Sequence, residues 1–182
     1  MGDAEIHLGA GDDGLAEGVG SRPALVGGGD SPADHPGPQD CIVVADDEQS
    51  LRNVVGRVLA RSFPGLPVSL GENGVEGLAA IDEILGDLRK RLLVVISDQM
   101  MPEMRGEELY RVLRSRPGGK NVPFIMMSGW MPDDLLPEIE SIKKGDPLFR
   151  FLDKPFTPQA LKACIDELLA LRREIEELSG SN

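Results

Sequence analysis

Five short, mainly apolar runs punctuate this chain. They are CIVVA (41–45), PVSL (67–70), LLVVIS (92–97), PFIMMS (123–128) and LFRFL (148–152). Continuous apolarity over so few residues suits strands buried on both faces. Between the runs the apolar residues recur at helical spacing. Leu51, Val54, Val55, Val58 and Leu59 mark a first helix, and Val75, Leu78, Ala79, Leu85 and Leu88 a second. Leu109, Val112 and Leu113 mark a third, and Leu135, Leu136, Ile139 and Ile142 a weaker fourth. The last helix is expected from about Thr157 or Pro158 to Leu178. Strict strand–helix alternation predicts an α/β fold, a parallel sheet with crossover helices on both faces. In such sheets ligands bind beyond the carboxyl ends of the strands.

Residues 1–40 do not share this patterning. They hold eight acids against the single base Arg22, and their apolar residues are isolated. Such a segment cannot bury enough surface to offset its ordering entropy, and a disordered tail is expected. It contains both histidines, His7 and His35, which removes zinc sites and His-based triads from the folded part. The stretch GAGDDG (9–14) lacks the further ligands of a calcium loop and follows no strand, so it is no dinucleotide motif either. A net charge of −12 argues against non-specific nucleic-acid binding. There is no apolar stretch long enough to span a membrane and no signal-peptide pattern. With Cys41 and Cys164 far apart in sequence, a reducing, cytoplasmic setting is the simpler expectation.

The candidate chemistry sits at the strand ends. Asp46 and Asp47 follow the first strand, Asp98 the third, Ser128 the fourth and Lys154 the fifth. Three carboxylates, a hydroxyl and an ammonium are therefore expected at one edge. Clustered carboxylates repel unless a cation joins them or their pKa values rise. Hard oxygen donors at this density suit Mg²⁺, which takes one or two carboxylates and retains several waters.

The motifs VVADDE (43–48), ISDQMMPEMRG (96–106), IMMSGW (125–130) and LDKPF (152–156), in this order, resemble those of the receiver domain of bacterial two-component response regulators. The resemblance spans about residues 41–171. It implies a flavodoxin-like doubly wound (βα)5 fold with five parallel strands in the order 2-1-3-4-5. It also implies that Asp98 accepts a phosphoryl group from a phosphohistidine on a kinase or phosphotransfer protein. Asp46 and Asp47 would hold Mg²⁺, with Asp98 and the backbone carbonyl of Met100. Lys154 would pair with Asp98 and then with a phosphoryl oxygen, Ser128 would donate to another, and the peptide bond before Pro155 would be cis. In switching, Phe151, three residues before the lysine, would turn into space vacated by Ser128. The output face would be the fourth helix, fifth strand and fifth helix.

Some positions are particular to this chain. Met100 and Trp130 are apolar and bulky where attacking water would approach an acyl phosphate, which suggests shielding; the alternative is that Trp130 packs on the loop or on a partner. The long Asp47–Asp98 interval suggests that the second helix extends through GDLRKRLL (86–93). Pro132, Pro137 and Pro147 suggest a short or displaced fourth helix. Leu161, Cys164, Leu168, Leu171, Ile175 and Leu178 follow a heptad seam. Its second half, in the extension 172–182, would either remain solvated or pair with a second copy. No second domain is expected after residue 178. The expected role is a stand-alone receiver that signals by protein contact and is not an enzyme toward other substrates. The alternatives are an intermediate in a multistep phosphorelay and a phosphorylation-independent binding module. An aspartyl-phosphate phosphatase is disfavoured, because Met100 stands where such enzymes generally carry a second acid.

Overall fold

The computed structural model describes residues 37–180. Most of the expected tail, with both histidines and GAGDDG, lies outside the described residues. Ten elements alternate without exception: β1 (Gln39–Ala45), α1 (Gln49–Ser62), β2 (Val68–Gly71), α2 (Gly74–Gly86), β3 (Lys90–Asp98), α3 (Gly106–Ser115), β4 (Phe124–Ser128), α4 (Leu136–Gly145), β5 (Phe149–Asp153) and α5 (Pro158–Gly180). The strands form one parallel sheet in the order β2-β1-β3-β4-β5, the flavodoxin-like order expected.

Strand side chains alternate between the two faces, and this alternation divides the core. Val43, Ala45, Val95, Phe124 and Met126 pack with Ile81 and Ile84 of α2, Leu109 and Leu113 of α3 and Ile139 of α4. Ile42, Val44, Val94, Ile96, Ile125 and Met127 pack on the other face with Val55 and Leu59 of α1 and Leu161, Ile165 and Leu168 of α5. Few aromatics take part. Tyr110 meets Phe124 and Phe149 edge-on, each with ring centroids 5.3 Å apart. The Tyr110 hydroxyl donates to Asp146 at 2.8 Å, and Arg114 Nε reaches the same oxygen at 2.7 Å. These bonds fasten α3 to the turn between α4 and β5.

The structure corrects three expectations of detail. First, β1 begins at Gln39, two residues before the apolar run. Asp40 stands opposite Arg91 in the sheet and receives its guanidinium at 2.5 and 2.9 Å, so charged residues extend the ladder where no apolar signal exists. Second, α2 does not run through 86–93. It ends at Gly86, and the extra residues form a turn and the charged start of a nine-residue β3. Third, the residue of α5 that is buried beside Leu161 and Leu168 is Ile165, while Cys164 is half-buried. Leu171 and Ile175 pack against the sheet's own core and only Leu178, 77% exposed, points away. Arg172 Nη1 donates to the Leu92 carbonyl at 2.8 Å and ties the extension to the start of β3. The fourth helix is short, ten residues with Pro137 in its first turn, and Ile139 is its buried residue.

Candidate functional site

The carboxyl ends of β1, β3, β4 and β5 lie side by side because the register aligns them. Ala45 stands opposite Ser97, Asp98 opposite Met127, and Ser128 opposite Asp153. Asp46 and Lys154 are each the first residue past a strand, so four chain segments deliver their polar groups to one rim.

Lys154 is the centre of the arrangement. Its Nζ lies 2.6 Å from Asp98 Oδ1 and 2.9 Å from Asp46 Oδ2. The peptide bond from Lys154 to Pro155 is cis, as the resemblance implied. Lys154 N donates to the Ser128 carbonyl at 2.8 Å, which sets the lysine beside the end of β4. Asp46 is fully buried, and its Oδ1 accepts from the Glu48 amide at 2.9 Å. Asp98 is 6% exposed, and its Oδ2 accepts from the Met100 amide at 3.1 Å. Burial pushes the Asp98 carboxyl above the ordinary aspartate range. Lys154 opposes that rise and the neighbouring charge of Asp46 adds to it. Burial also works against the Lys154 ammonium, but the bonds to Asp98 and Asp46 prevail and hold its proton more tightly than usual.

Two expected groups take other positions. Asp47 is exposed at the rim and does not join the buried pair. Asp46 is the last buried residue after β1, whereas Asp47 stands in the bend that leads to α1. Among the described residues no three His, Cys, Asp or Glu side chains converge as a ready metal cluster. Ser128 lies at the rim, 4% exposed, but its hydroxyl is engaged locally. It donates to the Trp130 carbonyl and accepts from the Trp130 amide at 3.2 Å. Phe151 is half-buried against the α2–α3–α4 side of the core. With Ser128, Trp130, Leu136 and Ile139 it lines a cavity of about 300 Å³.

The chemistry of the donor set suits Mg²⁺. Asp46 and Asp98 present two hard carboxylates within reach of one ammonium, and Mg²⁺ requires only one or two carboxylates with water completing its shell. The residues fit the ion.

Arg52 was missed by the sequence reading. It is 6% exposed on α1, and its Nη1 donates to the Asp46 carbonyl at 2.6 Å while Nη2 reaches Glu72 Oε1 at 2.8 Å. It therefore secures the backbone of the most buried acid. The available signal was its phase: Arg52, Val55 and Leu59 share the buried stripe of α1, and a cation there needs buried partners.

Comparison with known proteins agrees with this geometry. The family model for the response regulator receiver domain matches residues 42–166. Chemotaxis protein CheY1 of Helicobacter pylori is 30% identical over 128 residues, 70% of this chain and 95% of that protein. Sensor kinase CckA of Brucella abortus is 32% identical over 128 residues, again 70% of this chain, which spans only 12% of the kinase. The crystal structure of a response regulator receiver domain protein from Clostridium thermocellum superposes with a TM-score of 0.61 at 26% identity, over 75% of this chain and 98% of that one. The alternating fold, the rim of Asp46, Asp98 and Lys154, and the match over residues 42–166 lead to one conclusion: this chain belongs to the response regulator receiver domain family.

Proposed function

We propose that Asp98 accepts a phosphoryl group from a phosphohistidine of a histidine kinase or phosphotransfer protein, and that the phosphorylated chain switches its contacts with a downstream protein. The observation that carries this reading is the Lys154 ammonium held between Asp98 and Asp46 at the carboxyl edge of the sheet. An Asp98 oxygen attacks phosphorus, the nitrogen–phosphorus bond breaks, and the imidazole leaves and regains a proton. The product is an acyl phosphate. Mg²⁺ held by Asp46, Asp98 and the Met100 carbonyl, with Asp47 turned in from its exposed position at the rim, would supply charge neutralisation for the phosphoryl oxygens. Lys154 already spans the two buried acids and is placed to follow the new charge from carboxylate to phosphoryl oxygen. Ser128 must exchange the Trp130 carbonyl for a phosphoryl oxygen. That exchange moves the end of β4 and the wall of the cavity beside Phe151, and this is the proposed switch.

The output surface in this reading is α4, β5 and α5. The near-complete span of Helicobacter CheY1 supports a receiver acting by itself. The similarity to a sensor kinase favours a second reading, a receiver that relays phosphate within a multistep phosphorelay. Pairing of two copies through the end of α5 has less support than its spacing offered, since Leu171 and Ile175 serve the chain's own core. No helix among the described residues is long and apolar enough to cross a membrane.

The test is incubation with Mg²⁺ and acetyl phosphate followed by intact-mass measurement. One labile phosphate, absent in Asp98→Asn, is the expected result. A chain that stays unmodified would sink the reading in favour of a phosphorylation-independent module. Turnover of added phosphate monoesters would point to a phosphatase instead.

A further inference from the structure

Next to Asp98 lie two polar side chains that the proposed phosphoryl chemistry does not use. Gln99 is 0% exposed and Glu107, in the first turn of α3, is 3% exposed. Gln99 Nε2 donates to Glu107 Oε2 at 2.5 Å, whereas Gln99 Oε1 is buried with no partner. Arg105 approaches Glu107 Oε1 only to 3.9 Å. Burying an amide and a carboxylate for one direct hydrogen bond, with an acceptor left over, is costly. Two apolar side chains of similar volume would fill the same space with less penalty. Packing alone does not account for the pair.

Its location does. The Gln99 amide donates to the Met127 carbonyl at 2.8 Å, and the Gln99 carbonyl accepts from Gly106 N at 3.0 Å. The loop returns so tightly that a Cβ on Gly106 would lie 2.4 Å from the Asp98 carbonyl oxygen. The first of these bonds joins β3 to β4 and the second closes the loop; the Gln99–Glu107 bond is a second tie across the loop mouth, joining the end of β3 to the first turn of α3. That turn favours a carboxylate through its unpaired amides. Between the ties sits Met100, whose N–H donates to Asp98 Oδ2.

We propose that Gln99 and Glu107 form a positioning pair whose buried hydrogen bond fixes the segment Asp98–Gln99–Met100, so that the Met100 N–H stays directed at the Asp98 side chain. The consequence for phosphorylation rests on the function proposed above; the consequence for Met100 does not.

The decisive variant is Gln99→Leu with Glu107→Leu, which replaces the pair by apolar volume. It is compared with the exchange Gln99→Glu with Glu107→Gln, which retains one donor and one carboxylate. Three quantities are read: the denaturation midpoint, the amide exchange rate of Met100 against Val95 and Ile96, and the rate of phosphate uptake from acetyl phosphate with Mg²⁺. The leucine pair is expected to retain its midpoint, exchange Met100 about tenfold faster and take up phosphate about tenfold more slowly, as loss of groups that orient ligands does elsewhere. The exchanged pair is expected to return both rates toward those of the parent. A leucine pair with parental Met100 exchange and parental uptake overturns the proposal. If the leucine pair does not fold, Gln99→Met, of similar length but without the donor, is judged by the same two rates. If the parent itself takes up no phosphate, the functional reading falls alone and Met100 exchange still decides the pair.

Discussion

Replacing Lys154 by Met retains the aliphatic stem and removes the one ammonium that holds Asp46 and Asp98 together. Lys154 Nζ is 2.6 Å from one carboxylate and 2.9 Å from the other, and its side chain is 20% exposed against 0% and 9% for Asp46 and Asp98. The solvent discount that applies to surface pairs is therefore small here. Leaving buried charges unpaired costs about 3–5 kcal/mol. Asp98 can escape part of that cost by protonating. Its folded pKa is already raised by burial, with Asp46 adding to the rise, and losing Lys154 removes the influences that lower it. A carboxyl whose folded pKa exceeds its unfolded value binds more protons folded than unfolded. Its unfavourable contribution is absent below the unfolded value of 3.8, grows as pH rises through the folded pKa and is constant above it. The deficit of Lys154→Met should then be about 3 kcal/mol near pH 8 and smaller near pH 4, close to the unfolded value of 3.8. Lys154 itself, with its pKa raised above 10.5, stays charged in the parent throughout this window. Urea denaturation of both proteins in the presence of a chelator measures the difference. Adding Asp98→Asn to the variant should remove the share due to Asp98 and its repulsion with Asp46 at the higher pH, and leave the share due to Asp46. An equal deficit at both pH values, or one that Asp98→Asn leaves undiminished, would refute the argument that unpaired carboxylates dominate the rim.

Gly106→Ala should destabilise by about 1–3 kcal/mol, because its Cβ would meet the Asp98 carbonyl at 2.4 Å and Gln99 Cα at 3.1 Å; an unchanged denaturation midpoint would show that the loop gives way freely. Trp130→Ala should shorten the lifetime of the Asp98 phosphate if the indole shields it; an equal or longer lifetime in a timed intact-mass series removes the shielding role. Arg52→Met should lower stability by about 1–3 kcal/mol, because the Asp46 carbonyl loses a buried donor at 2.6 Å; a midpoint equal to the parent's would mean that water replaces the guanidinium without loss. Truncation after Leu171 should leave the chain's association state unchanged in sedimentation, because Ile175 is already used by its own core; a dimer that dissociates on truncation would restore the pairing reading.

The parts legible in the sequence are those where burial leaves an apolar record. The inner portions of β1, β3 and β4 are 0–8% exposed and read as unbroken apolar runs. Their carboxyl ends were legible for the complementary reason that polarity begins abruptly at Asp46, at Ser97–Asp98 and at Ser128. What escaped lies where charge pairs do the work of burial. Lys90 and Arg91 look like the end of a helix, yet they stand opposite Gln39 and Asp40 in the sheet. Only the partner strand distinguishes the two states, and no local pattern encodes it. The end of α5 shows the converse. A heptad seam specifies that a helix face is covered without specifying by what, and here the chain's own sheet covers Leu171 and Ile175.

The site was legible in its members and less so in their orientation, and the difference has one physical origin. Strand ends fix where a residue sits, whereas neighbouring polar groups decide which way its side chain turns. Asp46 faces inward because Lys154 and the Glu48 amide take both of its oxygens. Asp47, one residue on, turns to solvent. Ser128 reaches the rim, but the Trp130 backbone takes its hydroxyl. A phosphoryl group on Asp98 would therefore meet a rim in which Lys154 and Ser128 already have partners, and its binding energy must exceed what those partners supply. That competition is what could make the site a switch. A hydroxyl with no prior partner would bind phosphate without moving anything, whereas Ser128 cannot turn to it without releasing the Trp130 backbone.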